Sequence, residues 1–149
     1  MELKKYDRIQ DYDNYTYEFE SEGPKGKIRK VVKFQPVEGA GENLFNLYFG
    51  DFIESTGKVD DLSVSNNKDR DKVLSTVAGI VHDFMESRPR TIILAVGSTK
   101  SRTRLYQMSI CSFWPDINSL YNVYGKLNEE WLPFKKNVNY NGFLLFKKD

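Results

Sequence analysis

An α+β fold is predicted: an antiparallel sheet made of a four-strand meander plus later strands, with two main helices packed on one face. Three observations predict it. Apolar and polar residues alternate with period two through much of the first 65 residues, interrupted by Gly- and Pro-bearing turns. Two later stretches carry apolar residues at three- and four-residue spacing. Hairpin-linked strands with few helices among them are the pattern of α+β rather than of alternating α/β domains.

The elements follow in order. Residues 1–14 are polar with scattered Tyr and read as a flexible or edge arm. Tyr15, Tyr17 and Phe19 alternate with Thr16, Glu18 and Glu20, which marks a half-buried strand. Gly23, Pro24 and Gly26 make a turn, and alternation resumes at Lys27. Ile28, Val32 and Phe34 share one face with Lys30 as the exception, while Lys27, Arg29 and Lys33 share the other with Val31. The two runs form a hairpin. Phe45, Leu47 and Phe49 mark a third strand, with Gly50-Asp51 expected as a bulge or edge feature. After the STGK turn, Val59 to Ser65 give a weaker fourth strand.

Cap-type residues then introduce the strongest helix, Asp69 to Ser87, with Asn67 or Asp69 as N-cap and Pro89 as its stop. Val73, Val77, Ile80, Val81 and Phe84 form its apolar stripe. A strand over 91–97 feeds a helix from about Lys100 to Phe113, with Leu105 and Met108 as its inner face, joined by Cys111 or Ser112. Pro115 breaks it, and Asp116 to Tyr121 make a further helical turn. Val123 to Leu127 and Gly142 to Lys148 close the chain as strands; Pro133 argues against one over Trp131 to Phe134.

A length of 149 residues suits one domain over 1–149 and can bury a proper core. Apolar residues at 40% and aromatics at 14% argue for a folded chain rather than a disordered one. With 22 basic against 21 acidic residues the net charge is +1, so any basic surface must be local. Cys111 is the single cysteine, which excludes an intrachain disulfide and fits a reducing compartment. The N-terminus lacks an apolar signal core, and no run approaches the ~18 apolar residues of a membrane helix, so the cytoplasm is the expected location, with no membrane partner.

The most site-like stretch runs from Ile92 to Met108. An apolar strand turns through Gly97, Ser98 and Thr99 into a helix carrying Lys100, Arg102 and Arg104. Such a turn aims backbone N–H groups at one spot, where the helix dipole favours an anion. The P-loop and dinucleotide-binding glycine patterns are both absent, and no cofactor is implied. Lys100 and Arg104 lie four apart on one face, whereas Arg102 points about 200° around from Lys100. The expected ligands of a phosphate are therefore the backbone from Gly97, the Ser98 and Thr99 hydroxyls, and Lys100 with Arg104; Arg102 is expected on a different surface or in a salt bridge. The same residues would also serve an ordinary strand-to-helix turn.

Other candidates are weaker. Lys25, Lys27, Arg29, Lys30 and Lys33 form a basic hairpin that, beside Tyr15 and Tyr17, could hold single-stranded nucleic acid, or could be an edge strand guarded by lysine. Asp60, Asp61, Asp69 and Asp71 match no metal-loop spacing and read first as caps, so no metal is expected. His82 flanks the long helix's stripe, and Cys111 sits among apolar neighbours. Trp114, Tyr121, Tyr124, Trp131, Phe134 and Tyr140 mix core with groove or dimer surface.

The segments SEGPKGKI (Ser21 to Ile28), SNNKDRDKVLSTVA (Ser65 to Ala78) and GSTKSRTRLYQM (Gly97 to Met108) resemble a family of small proteins of about this length, common in Bacteroidetes and known only as a domain of unknown function. The resemblance spans most of the chain and implies a bacterial, cytoplasmic, single-domain protein; it brings no catalytic residues. The four-strands-then-helix order also resembles half of the Whirly type of single-stranded-DNA-binding fold, an analogy of fold alone.

The leading expectation is a binding module for a phosphate-bearing small molecule or nucleic acid. One alternative is a metal-independent RNase or toxin-like enzyme using Arg104, Tyr106 and His82 on a phosphodiester. Another is a non-catalytic homodimer joined through an exposed strand or the aromatic C-terminal surface.

Overall fold

Strand β2 (Thr16–Gly23) and strand β3 (Gly26–Pro36) pair as the expected hairpin, in unbroken register from Thr16↔Lys33 to Gly23↔Gly26. The computed structural model describes residues 5–10, 13–39, 41, 43–60 and 67–149. Strand β1 (Arg8–Gln10) lies on the outer side of β2, so part of the N-terminal arm is an edge strand. Strand β4 (Leu44–Ile53) pairs with β3, and β5 (Lys58–Asp60) with the end of β4. The remainder of the expected fourth strand, residues 61–65, lies outside the described residues.

Helix α1 (Arg70–Glu86) crosses over to β6 (Ile92–Ala95), then α2 (Lys100–Ser112) and α3 (Trp114–Leu120) lead to β7 (Tyr121–Leu127), β8 (Glu130–Pro133) and β9 (Phe143–Lys147). The described strands form one sheet ordered β1-β2-β3-β4-β6-β9-β7-β8, with β5 alongside β4. Among the described pairings only β4–β6 is parallel, because α1 carries the chain back across the sheet. The protein is thus α+β, as its patterning predicts.

The core lies between the helices and one face of the sheet. Tyr17, Phe19, Val32, Phe34, Phe45, Leu47, Phe49, Ile93, Val123 and Phe143 supply the sheet side; Val77, Ile80, Phe84, Tyr106 and Ile110 supply the helix side. Phe84 anchors it, stacked on Phe34 with ring centroids 3.9 Å apart and edge-on to Phe45 at 5.2 Å. The stripe expected on α1 is this buried face; Val81 lies at its half-buried margin.

Several local expectations change. No bulge occurs at Gly50-Asp51, since the register runs continuously through Val31↔Gly50 and Lys30↔Asp51. Glycine is needed there for close approach: a Cβ on Gly50 would stand 2.5 Å from the Asp60 carbonyl oxygen. The buried face of α2 is Arg102, Thr103, Tyr106, Gln107 and Ile110, with Leu105, Met108 and Cys111 only partly buried beside it. The expected face followed the most apolar side chains, whereas the short turn from β6 fixes the helix rotation. Strand β8 exists despite Pro133. It lies at the edge of the sheet order, and Pro133 is its last residue, where a missing N–H does little harm. The β7–β8 turn places Asn128 and Glu129 at φ 51 and 67, the pair of left-handed residues a tight hairpin turn requires. Strand β3 sits between β2 and β4, so the basic hairpin strand is interior to the sheet rather than a guarded edge.

Candidate phosphate-binding site

Strand β6 ends at Ala95, and the chain doubles directly into α2. Gly97 makes this possible: a Cβ there would lie 2.5 Å from the Thr103 nitrogen and 2.6 Å from the Arg102 Cβ. Thr99 is the N-cap, with extended backbone (φ −132, ψ 164) and a hydroxyl that accepts from the Arg102 N–H at 3.1 Å. The Thr103 hydroxyl accepts from the Gly97 N–H (2.9 Å) and donates to the Thr99 carbonyl (3.2 Å). Two expected phosphate ligands, the Gly97 amide and the Thr99 hydroxyl, are therefore engaged in holding the turn.

Ser98, Lys100 and Arg104 line one wall of a cleft of ≈ 400 Å³ beside the first turn of α2. The opposite wall is Asn139 and Asn141. Arg104 Nη1 donates to Asn139 Oδ1 at 3.2 Å, so the two walls touch. Gln107 fixes the loop: its Nε2 donates to the Val138 carbonyl (2.6 Å) and its Oε1 accepts from the Tyr140 N–H (3.2 Å). Sequence reasoning missed both asparagines. The amide-rich run NVNYNG was the signal available, and nothing in it says that the run folds back onto α2.

Arg102 does not line this cleft. It is 3% exposed, with its guanidinium 4.9 Å from the Phe49 ring centroid, on the other side of α2. There it lines a second cleft of ≈ 350 Å³ with Lys30, Asn67, Lys68, Asp69 and Arg70. Beneath it the Lys30 ammonium meets the Asp51 carboxylate at 2.5 Å, which explains a lysine on the apolar face of β3. Asp69 is N-cap of α1 by position, yet its side chain makes no cap bond. Its carboxylate instead accepts from the Tyr6 hydroxyl (2.6 Å) and the Ser21 hydroxyl (2.5 Å). Burial, and then that carboxylate, push the Tyr6 phenol above its ordinary value. Asn67 is buried, donating to Ser21 Oγ (3.1 Å) and the Gly26 carbonyl (3.0 Å) and accepting from the Lys25 N–H (2.7 Å).

The three residues of the enzyme alternative separate. His82 and Tyr106 line an apolar cavity of ≈ 70 Å³ among α1, α2 and the sheet, whereas Arg104 lines the cleft shared with Asn139 and Asn141. His82 Nδ1 lies 2.6 Å from the Tyr121 hydroxyl. Burial, with Glu86 and Asp83 adding repulsion, pushes the Tyr121 phenol up to about 12, so at neutral pH it is a proton-bearing partner for the imidazole. Burial likewise raises the Cys111 thiol, the opposite of an activated nucleophile.

The basic hairpin is largely matched within the sheet. Arg29 donates to both oxygens of Glu18 (2.6 and 3.2 Å) and lies over Phe52, and Lys27 stands opposite Glu22. Lys25 is exposed and Lys33 half-buried. Of the acidic run, Asp61 lies outside the described residues; among those described, no three His, Cys, Asp or Glu side chains gather as a metal site would.

Fold and site together define a class: a single-sheet α+β protein, helices on one face, with a polar cation-bearing cleft where a strand feeds a helix. The chain belongs to a family of unknown function (DUF6934), whose profile matches residues 2–148. No curated protein matches it, and no solved structure does. No helix among the described residues is long and apolar enough to cross a membrane.

Proposed function

We propose that this protein is a binding module for a phosphate-bearing ligand, held in the cleft between the N-terminal turn of α2 and the 139–141 loop. The observation that carries the reading is the convergence of Lys100 and Arg104 from one wall with Asn139 and Asn141 from the other. Two cations beside first-turn amides favour a compact anion, and the asparagine amides can donate to its outer oxygens. We place the protein in a bacterial cytoplasm, a setting that suits its lone, half-buried Cys111.

The test is a calorimetric titration with pyrophosphate at low ionic strength. Binding that weakens steeply with added salt, and that falls at least about tenfold in Lys100→Glu or Arg104→Glu, supports the reading. Wild-type protein that takes up no pyrophosphate at millimolar concentration overturns it. The RNase alternative is not favoured, because Arg104 and the His82–Tyr106 pair face different cavities.

A further inference from the structure

The described helices all pack on one face of the sheet, and the other face carries an apolar and aromatic surface. Register fixes its rows across β4, β6, β9 and β7: Leu44–Ile92–Phe146–Asn122, then Asn46–Leu94–Leu144–Tyr124. Trp131, opposite Lys126 on β8, extends it. Ile92 and Trp131 are 36% and 37% exposed, and the Tyr124 and Phe146 rings lie nearly parallel, 8° apart in plane with centroids at 5.8 Å. Over this stretch no carboxylate points outward, whereas Lys126 does. Its ion pair with Glu129 (3.4 Å) lies in the open hairpin turn, where such pairs are weak. The surface also runs into the phosphate cleft: Val96 and Asn141 line that cleft, and the Asn141 N–H donates to the Lys126 carbonyl at 2.8 Å.

The geometry points to single-stranded nucleic acid as the ligand, its phosphates held at Lys100, Arg104 and Lys126 and its bases stacked on Tyr124, Phe146 and Trp131. This rests on the phosphate-binding reading and extends it to a second surface. Aromatic rings on an open sheet beside cations are what unpaired bases require, and a duplex keeps its base faces hidden. A second copy fits the surface less well. A two-fold axis along the strands, centred on β6, lays β3 over β7 and brings Lys33 to the level of Lys126. A two-fold across the strands lays β7 on itself. The first brings two cations together, and the second does so when centred on Lys126, whereas a polyanion neutralises them.

The experiment is fluorescence anisotropy of the full chain with a labelled single strand of about 12 nucleotides, a duplex of the same sequence, and inorganic polyphosphate as competitor. The single strand is expected to bind more tightly than the duplex and to quench Trp131, a quench absent in Trp131→Phe. Tyr124→Ala and Phe146→Thr are each expected to weaken single-strand binding by about tenfold while leaving polyphosphate binding unchanged, and Tyr124→Phe to retain it. Equal binding of all three probes, unmoved by Tyr124→Ala and without quench, overturns the nucleic-acid inference and leaves the phosphate site standing. Failure of every probe overturns both. A concentration-dependent dimer dispersed by Leu94→Asp would assign the surface to a second copy and overturn the inference as well.

Discussion

The Lys30 ammonium lies 2.5 Å from the Asp51 carboxylate, directly across the β3–β4 ladder, and both side chains are almost wholly withdrawn from water. A charge in that position is tolerable only with its partner present. Asp51→Ala is therefore expected to destabilise the fold by about 3–5 kcal/mol, while Lys30→Met combined with Asp51→Leu recovers most of the loss. Urea midpoints of Asp51→Ala and of the double variant check this; a double variant as unstable as Asp51→Ala would refute it.

Tyr121 gives stability a pH dependence at the alkaline end. Its phenol is held to about 12 in the folded protein, against an ordinary value near 10. The folded state therefore keeps this proton more tightly than the unfolded chain does. The resulting stabilisation is complete below pH 10 and is lost as pH rises through 12, about 3 kcal/mol at most. Urea midpoints measured from pH 8 to 11 should fall, and Tyr121→Phe should flatten the slope. A residual slope is expected from Tyr6 and Tyr17, whose phenols burial also raises.

Gly97→Ala tests the turn at the candidate site. The added methyl would meet backbone and Cβ atoms of the first turn of α2, which cannot swing aside as a flexible side-chain end would. A loss of about 1–3 kcal/mol is expected, together with weakened pyrophosphate binding as α2 shifts. Thermal melts and the calorimetric titration read the two effects separately. A fully stable Gly97→Ala protein would show that the turn has slack.

Asn67→Ala removes three hydrogen bonds made by a buried side chain, to Ser21 Oγ, the Gly26 carbonyl and the Lys25 N–H. A cost of about 2–3 kcal/mol follows from the loss of three hydrogen bonds at about 1 kcal/mol each. Hydrogen exchange should show faster opening at the β2–β3 turn than at the centre of the sheet, since the Asn67 bonds are local to that end.

Much of the sheet was legible because a strand's side chains alternate with period two and half-buried strands expose one face. Tyr17 and Phe19, Val32 and Phe34, and Phe45, Leu47 and Phe49 all point into the core, where their alternation placed them. The α1 stripe was legible for the corresponding helical reason. Helix α2 was less so. Its rotation follows from the tight Gly97 turn and from Gln107 gripping the 138–140 loop, and it buries Arg102 and Thr103 while Leu105 and Met108 stay at the margin.

At the site, the strand-to-helix turn and the divergence of Arg102 from Lys100 and Arg104 were readable, because both follow from local geometry at about 100° per residue. The opposite wall was not. Asn139 meets Arg104 across 35 positions of sequence, with Asn141 lining the same cleft, and the β4–β6 parallel pairing and the Lys30–Asp51 ion pair are likewise contacts between distant segments. Periodicity and capping are encoded within a few residues, so the chain alone determines its elements and most of their faces. Which faces meet, which charges are buried together and which side of the sheet stays open depend on packing the whole chain at once, and only the tertiary structure decides them.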